Sequence, residues 1–157
     1  MNTELMTGEE VLSLYREDVY KLAEYLPWLE SKSGQTVSSV YSGDGLREHS
    51  VSFPVYDSTL LSFVKVAEST ILMDRNYRYV YTRNSLHDHR DEAAYIDRAT
   101  ILQMGQLGGI LSNYVLGGRT KAKLWSEGVT SGLFCKIVAK AKELIDIQVN
   151  ATITKGE

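Results

Sequence analysis

Three cations follow a pair of glycines in the stretch VLGGRTKAKLW at residues 115–125. Arg119, Lys121 and Lys123 lie where a new helix is expected to begin. The free N–H groups at the start of a helix favour negative charge. The glycine spacing and the Lys-Ser/Thr pair of a nucleotide-hydrolysing P-loop are both missing. The stretch therefore predicts a site that binds a small anion without being a P-loop.

Aromatic side chains near these cations offer faces on which a nucleobase could stack. Trp125 ends the basic stretch, and three tyrosines alternate in RNYRYVYTRN at residues 75–84. The predicted ligand-binding residues are Arg119, Lys121, Lys123, Trp125, Tyr77, Tyr79 and Tyr81.

The same glycines also have a structural interpretation. Gly117 or Gly118 can end a helix in the left-handed conformation, and Arg119 can hydrogen-bond to the last carbonyls of that helix. Both interpretations stay open at the level of sequence.

A pair of histidines supplies the one candidate metal site. His87 and His89 stand two residues apart, so they share a face only on a strand. Asp88, Asp91 or Glu92 could complete a site, but a metal centre needs more ligands than this spacing secures. An exposed polar loop is the alternative. The sequence predicts no catalytic residue, no metal and no cofactor, with His87 and His89 kept as weak metal candidates.

Charge is distributed unevenly along the chain of 157 residues, whose net charge is −3. The first thirty residues are acidic, whereas residues 119–142 carry one arginine and five lysines against Glu127 alone. These two regions could pair within one chain or across a homodimer. The basic third could equally bind nucleic acid, with an affinity that falls steeply as salt rises.

Hydrophobic spacing predicts a mainly α (α+β) domain. Helices are expected near residues 7–26, 57–68, 98–116 and 133–145, and residues 77–81 fit either a strand or a helix. A short two-stranded or extended segment is expected near residues 37–56, around the turn sequence SGDG. A compact single domain would span residues 1–145, followed by a C-terminal tail at 146–157.

Two stretches of the chain resemble a family of bacterial and phage proteins that is catalogued as a domain of unknown function (number six-five-zero-eight). The first is FPVYDSTLLSFVKVA at residues 53–67, and the second has the pattern V-x-G-x-R…W…G. The pattern is matched by Val115, Gly117, Arg119, Trp125 and Gly132. Its other usual charged and aromatic positions differ here, at Leu116, Gly118 and Thr120. The resemblance implies a compact, mainly helical domain carried by phages or other mobile elements, with no established enzymatic activity.

These observations favour a small non-enzymatic binding protein over an enzyme. We expect a phage or mobile-element accessory factor, active against host defence, that binds a host protein or sequesters a small anionic nucleotide-like ligand. The alternatives are a nucleic-acid-binding protein and a metal-dependent hydrolase. A cytoplasmic location with no membrane partner is expected, because Cys135 is the single cysteine and no secretory or membrane-spanning pattern is present. A homodimer is expected from the uneven distribution of charge.

Overall fold

The computed structural model describes residues 2–34, 38–41, 53–121 and 123–155, with the backbone alone at 38–41, 53–56 and 155. The α-helices are α1 (Gly8–Ala23), α2 (Leu26–Lys32), α3 (Ser58–Glu68), α4 (Tyr77–Arg83), α5 (His89–Arg98), α6 (Met104–Val115), α7 (Lys123–Thr130) and α8 (Leu133–Lys155). Short 3-10 turns cover Thr3–Leu5, Ile101–Gln103 and Gly117–Arg119. The predicted mainly helical class is confirmed.

Two strands, β1 (Ser38–Tyr41) and β2 (Phe53–Tyr56), pair antiparallel, with Ser38 opposite Tyr56. The rest of the predicted extended segment, including its SGDG turn, lies outside the described residues.

Helix α1 begins where its sequence predicts. The Thr7 hydroxyl accepts from the Glu10 backbone N–H at 3.1 Å, and the Glu10 carboxylate accepts from the Thr7 N–H at 3.1 Å. This capping box satisfies two N–H groups that the helix leaves unpaired. Val11, Tyr15 and other apolar residues of α1 are buried, and α1 packs along α8.

Helix α6 lies at the centre of the core, with most of its residues buried. Its glycines are explained by close packing. A Cβ at Gly108 would lie 2.4 Å from the Leu72 carbonyl oxygen, and a Cβ at Gly109 would lie 2.7 Å from Val80 Cγ2. Close approach of α4, and of the loop that holds Leu72, to α6 therefore compensates for the cost of glycine in a helix interior, about 1 kcal/mol for each residue.

The structure decides one open assignment and differs from two predictions. The ambiguous tyrosine stretch is helix α4. The helix expected at 98–116 is the end of α5, a 3-10 turn and α6. The tail expected from residue 146 is instead part of α8, which continues to Lys155. Asp146 holds that extension, because it accepts from the Tyr20 hydroxyl at 2.7 Å and from Lys142 Nζ at 2.7 Å.

The described helices include none that is both long enough and apolar enough to cross a membrane.

Candidate functional site

The predicted cation Arg119 lies in the 3-10 turn that follows α6. Its guanidinium Nη2 donates to Oε2 of Glu68, at the end of α3. The Arg119 side chain is nevertheless 61% exposed. Arg119 therefore ties the end of α3 to the connection between α6 and α7.

Trp125 also acts within the protein. Its indole Nε1 donates to the Val115 carbonyl at 2.9 Å, at the end of α6. A Cβ at Gly118 would lie 2.1 Å from the indole Cδ1 and Nε1. The glycine thus gives the ring the space to reach a carbonyl that the helix leaves unpaired.

The remaining predicted residues are spread over different surroundings. Lys121 and Lys123 are exposed. Tyr77 lies beside Gly117, whose added Cβ would be 3.7 Å from the Tyr77 hydroxyl. Tyr79 is 58% exposed, whereas Tyr81 hydrogen-bonds to Glu92.

Glu92 is the centre of a buried polar network that joins α4, α5 and α6. Its carboxylate accepts from the Tyr81 hydroxyl and from the Tyr114 hydroxyl, the latter at 2.8 and 3.0 Å. Asn113 donates in turn to the Tyr81 oxygen at 3.2 Å. Burial, and after it the Glu92 carboxylate, raises the pKa of both Tyr81 and Tyr114. Both hydroxyls therefore stay protonated and donate, and the network fixes α4 against the core.

His89 forms the exposed edge of this network. Its Nδ1 lies 2.9 Å from Glu92 Oε1 and 3.1 Å from the Tyr114 hydroxyl, while its side chain is 59% exposed. His87 lies on the surface, and its backbone N–H donates to Asp91 Oδ2 at 2.9 Å. Within the described residues, no three His, Cys, Asp or Glu side chains are arranged to hold a metal ion. The structure does not unite the two histidines in one ligand set.

The role of Glu92 was missed from the sequence, although a signal for it exists. Glu92, Tyr95, Ile96 and Ala99 are all buried and recur at helical spacing. A carboxylate on the apolar face of a helix needs hydrogen-bond donors around it. The prediction of an exposed polar loop did not take this helical periodicity into account.

Two adjoining pockets open beside α4, and the sequence predicted neither. The first, about 270 Å³ in volume, is here called the amide pocket. Its polar lining includes Asn2, Asp74, Asn76, Asn84 and Gln106, with Tyr79 and Arg83 also contributing. The second, about 240 Å³, is here called the arginine pocket and is lined by Glu4, Arg83, Asn84, Tyr95, Arg98, Ala99 and Gln103. Arg83 and Asn84 belong to both pockets.

The arginine pocket carries an excess of positive charge. Arg83 Nη1 lies 3.7 Å from Glu4 Oε1. The Arg98 guanidinium lies 5.0 Å from the centre of the Tyr95 ring. Burial, and after it the Glu4 carboxylate, raises the pKa of Tyr95, while both arginines oppose that rise. Two guanidinium groups and one carboxylate thus surround this pocket.

The amide pocket is lined by side chains that carry both hydrogen-bond donors and acceptors. Gln106 Nε2 donates to Glu4 Oε1 at 2.6 Å, and its buried Oε1 has no donor among the described residues. Asn84 Nδ2 donates to the Val80 carbonyl at 2.8 Å. Asp74 adds a carboxylate, whose Oδ1 accepts from the Asn76 N–H at 2.8 Å. Each of these two amide N–H₂ groups makes one of its two possible hydrogen bonds within the protein, so the amides can offer a ligand both a donor and an acceptor.

Comparison of the chain with protein-family models, curated proteins and solved structures finds no match. The family resemblance of the sequence therefore stays a prediction, and the pockets are interpreted from their own chemistry.

Proposed function

We propose that this chain is a small non-enzymatic binding protein that sequesters a small anionic, nucleotide-like ligand in the amide and arginine pockets. The observation that carries the proposal is the pair of adjoining pockets that share Arg83 and Asn84. Together they approach the size of small-molecule sites, which are concave and carry a few converging polar groups.

The arginines supply the anion recognition. Arg98 forms no ion pair with the described residues, and Arg83 is 47% exposed beside Glu4. The planar guanidinium group matches a phosphate or carboxylate by paired hydrogen bonds. An anionic group in the arginine pocket would therefore contact two guanidinium groups. The Glu4 carboxylate is the one anion in the pocket lining that competes for them.

Tyr79 supplies the aromatic contact. It lines the amide pocket and leaves more than half of its surface exposed. An exposed tyrosine ring beside a polar pocket can stack on a base. Tyr79 thus keeps the role that its sequence predicts, with Arg83 and Arg98 in place of Arg119, Lys121 and Lys123.

Binding without turnover fits the groups that line the pockets. Arginine and amide side chains are poor bases and poor nucleophiles at neutral pH. The two carboxylates are engaged, because Glu4 accepts from Gln106 and Asp74 accepts from the Asn76 N–H. The cytoplasmic location, the phage or mobile-element origin and the homodimer are the parts of this proposal that rest on the sequence. Binding of a host protein, in place of sequestration of a ligand, is the other form of the sequence-based hypothesis.

The two alternatives receive less support. In the basic third, Lys136 pairs with Asp97 at 2.7 Å and Lys142 pairs with Asp146 at 2.7 Å. Charges that are neutralised within the protein contribute little to nucleic-acid affinity. A metal-dependent hydrolase would need several ligands around one metal ion, and His87 and His89 do not belong to one such set among the described residues.

Calorimetric titration with a panel of nucleoside monophosphates at low salt tests the proposal. We expect saturable binding by the wild-type protein and a loss of at least about tenfold in affinity for Arg98→Ala, since each tenfold is about 1.4 kcal/mol. The matched control is Lys121→Ala/Lys123→Ala, which should bind like wild type. No binding by any nucleotide would overturn the proposal, as would loss of binding in the lysine variant alone.

A further inference from the structure

We infer that the Glu4 carboxylate occupies part of the anion site as an internal ligand, and that the phosphate of the bound nucleotide displaces it. This inference rests on the proposed function and deepens it, because it names the residue that regulates binding at that site. It follows from where the Glu4 carboxylate lies between the two pockets.

Glu4 lies at the junction of the two pockets. Its Oε1 accepts from Gln106 Nε2 at 2.6 Å, and Gln106 lines the amide pocket. The same oxygen lies 3.7 Å from Nη1 of Arg83, which lines both pockets. A ligand that spans both pockets must therefore pass the Glu4 carboxylate.

The groups around the Glu4 carboxylate are those that would bind a phosphate oxygen. An amide donor and a guanidinium group face its Oε1, and a second guanidinium, that of Arg98, lines the same pocket. Burial raises the pKa of Tyr95 most, and the Glu4 carboxylate raises it further, while Arg98 and Arg83 oppose that rise. The carboxylate therefore lies within electrostatic reach of the same ring as both arginines. Carboxylate and phosphate oxygens accept the same charge-assisted hydrogen bonds from guanidinium groups.

The main chain beside Glu4 is fixed, whereas its side chain can turn outward. The buried Thr3 hydroxyl donates to the Leu102 carbonyl at 2.6 Å and accepts from the Gly105 N–H at 2.8 Å. The Glu4 side chain is 36% exposed, and an ion pair this open contributes little to stability. Gln106 is buried, so its amide stays at the junction. Rotation of the Glu4 side chain into solvent would thus release both of its partners to a phosphate.

Calorimetric titration of Glu4→Gln with adenosine, guanosine, cytidine and uridine monophosphate at low salt tests the inference. The substitution keeps the shape of the side chain and an acceptor for Gln106, but removes the charge that competes for Arg83 and repels the phosphate. We expect the variant to bind each nucleotide that the wild type binds at least about fivefold more tightly. The gain should shrink as salt rises, because the repulsion is then screened.

The matched control is Glu9→Gln. It removes the same charge from an exposed residue of α1 that lines neither pocket, so it should bind like wild type.

A second measurement uses the wild-type protein, and it decides the inference even if Glu4→Gln fails to fold. The side-chain carboxyl ¹³C resonance of Glu4 should shift on saturation with the nucleotide that binds most tightly, because the carboxylate leaves Gln106. An unmoved resonance would overturn the inference.

The outcomes separate the inference from the proposed function. Equal or weaker binding by Glu4→Gln, while Arg98→Ala still binds more weakly than wild type, would overturn the inference and leave the proposed function standing. An equal gain in Glu9→Gln would also overturn the inference alone, since the gain would then reflect net charge. Absence of nucleotide binding by both the wild-type protein and Glu4→Gln would overturn both.

Discussion

Two regions of this protein combine arginine with aromatic residues, and they use them differently. In the connection after α6, Arg119 binds Glu68 and the Trp125 indole binds the Val115 carbonyl. Beside α4, Arg83 and Arg98 border open pockets instead. The same residue types thus join elements of the fold in one region and line a cavity in the other, and only the second arrangement leaves room for a ligand.

Replacement of Trp125 by alanine should have the largest effect on stability. It removes the indole that packs on Gly118 and leaves the Val115 carbonyl without its donor. We expect a loss of about 3 kcal/mol in the free energy of unfolding, measured by urea denaturation. Tyr79→Ala, at the pockets, is the matched aromatic control and should change stability by less than about 0.5 kcal/mol. Similar losses of unfolding free energy in both variants would contradict the view that the aromatic residue is structural in the first region and not in the second.

Replacement of Glu92 by glutamine should have the next largest effect. The amide keeps the shape of the side chain but removes one acceptor from a site that receives two tyrosine hydroxyls. We expect a loss of about 2 kcal/mol in unfolding free energy, the cost of a buried donor left unpaired. Because this network holds α4, nucleotide affinity should fall as well. Unchanged affinity in a folded variant would show that the pockets do not depend on the network.

Two arginine variants, one in each region, should have opposite effects: one should lower stability, and the other should lower nucleotide affinity. Arg119→Ala should lower unfolding free energy by at most about 1 kcal/mol, because its ion pair is largely exposed, and should leave nucleotide affinity intact. Arg98→Ala should leave thermal stability nearly unchanged and abolish most of the binding. Thermal melts and calorimetry on both proteins check this reversal. Loss of binding in Arg119→Ala would return the ligand site to the segment that the sequence favours.

The smallest expected effect is the pH dependence of unfolding free energy that arises from the tyrosines of the Glu92 network. It is absent at neutral pH. The pKa values of these tyrosines are raised in the folded protein by burial and by Glu92. Their contribution to stability is therefore full below the unfolded pKa of about 10 and is lost as pH rises above it. We expect a falling free energy of unfolding above that pH, with a shallower fall in Tyr81→Phe. Tyr79→Phe is the exposed control, and an equal change in its slope would contradict the assignment.

The sequence predicted those features that depend on local chemistry. The capping box of α1 appears at Thr7 and Glu10, and the apolar faces of α1 and of α8 follow their spacing. The continuation of α8 to Lys155 was not predicted, because it depends on a hydrogen bond between Tyr20 and Asp146, which are distant in the chain.

The pockets could not be predicted for the same physical reason. Their walls come from the chain start, from α4 and the loop before it, from the end of α5 and from the start of α6, and no short motif contains them. The glycines before Arg119 led to the prediction that it binds an anion. Its guanidinium instead pairs with Glu68, which lies in another helix. Which cation is paired and which is open depends on tertiary contacts.

The most direct test of where the ligand binds is a two-dimensional amide NMR titration of the ¹⁵N-labelled protein with the nucleoside monophosphate that binds most tightly in calorimetry. We expect the largest chemical-shift changes in the side-chain amides of Asn84 and Gln106 and in the backbone amides of Tyr79 and Arg98. Shifts concentrated at residues 117–125, with these amides unmoved, would contradict this location of the site.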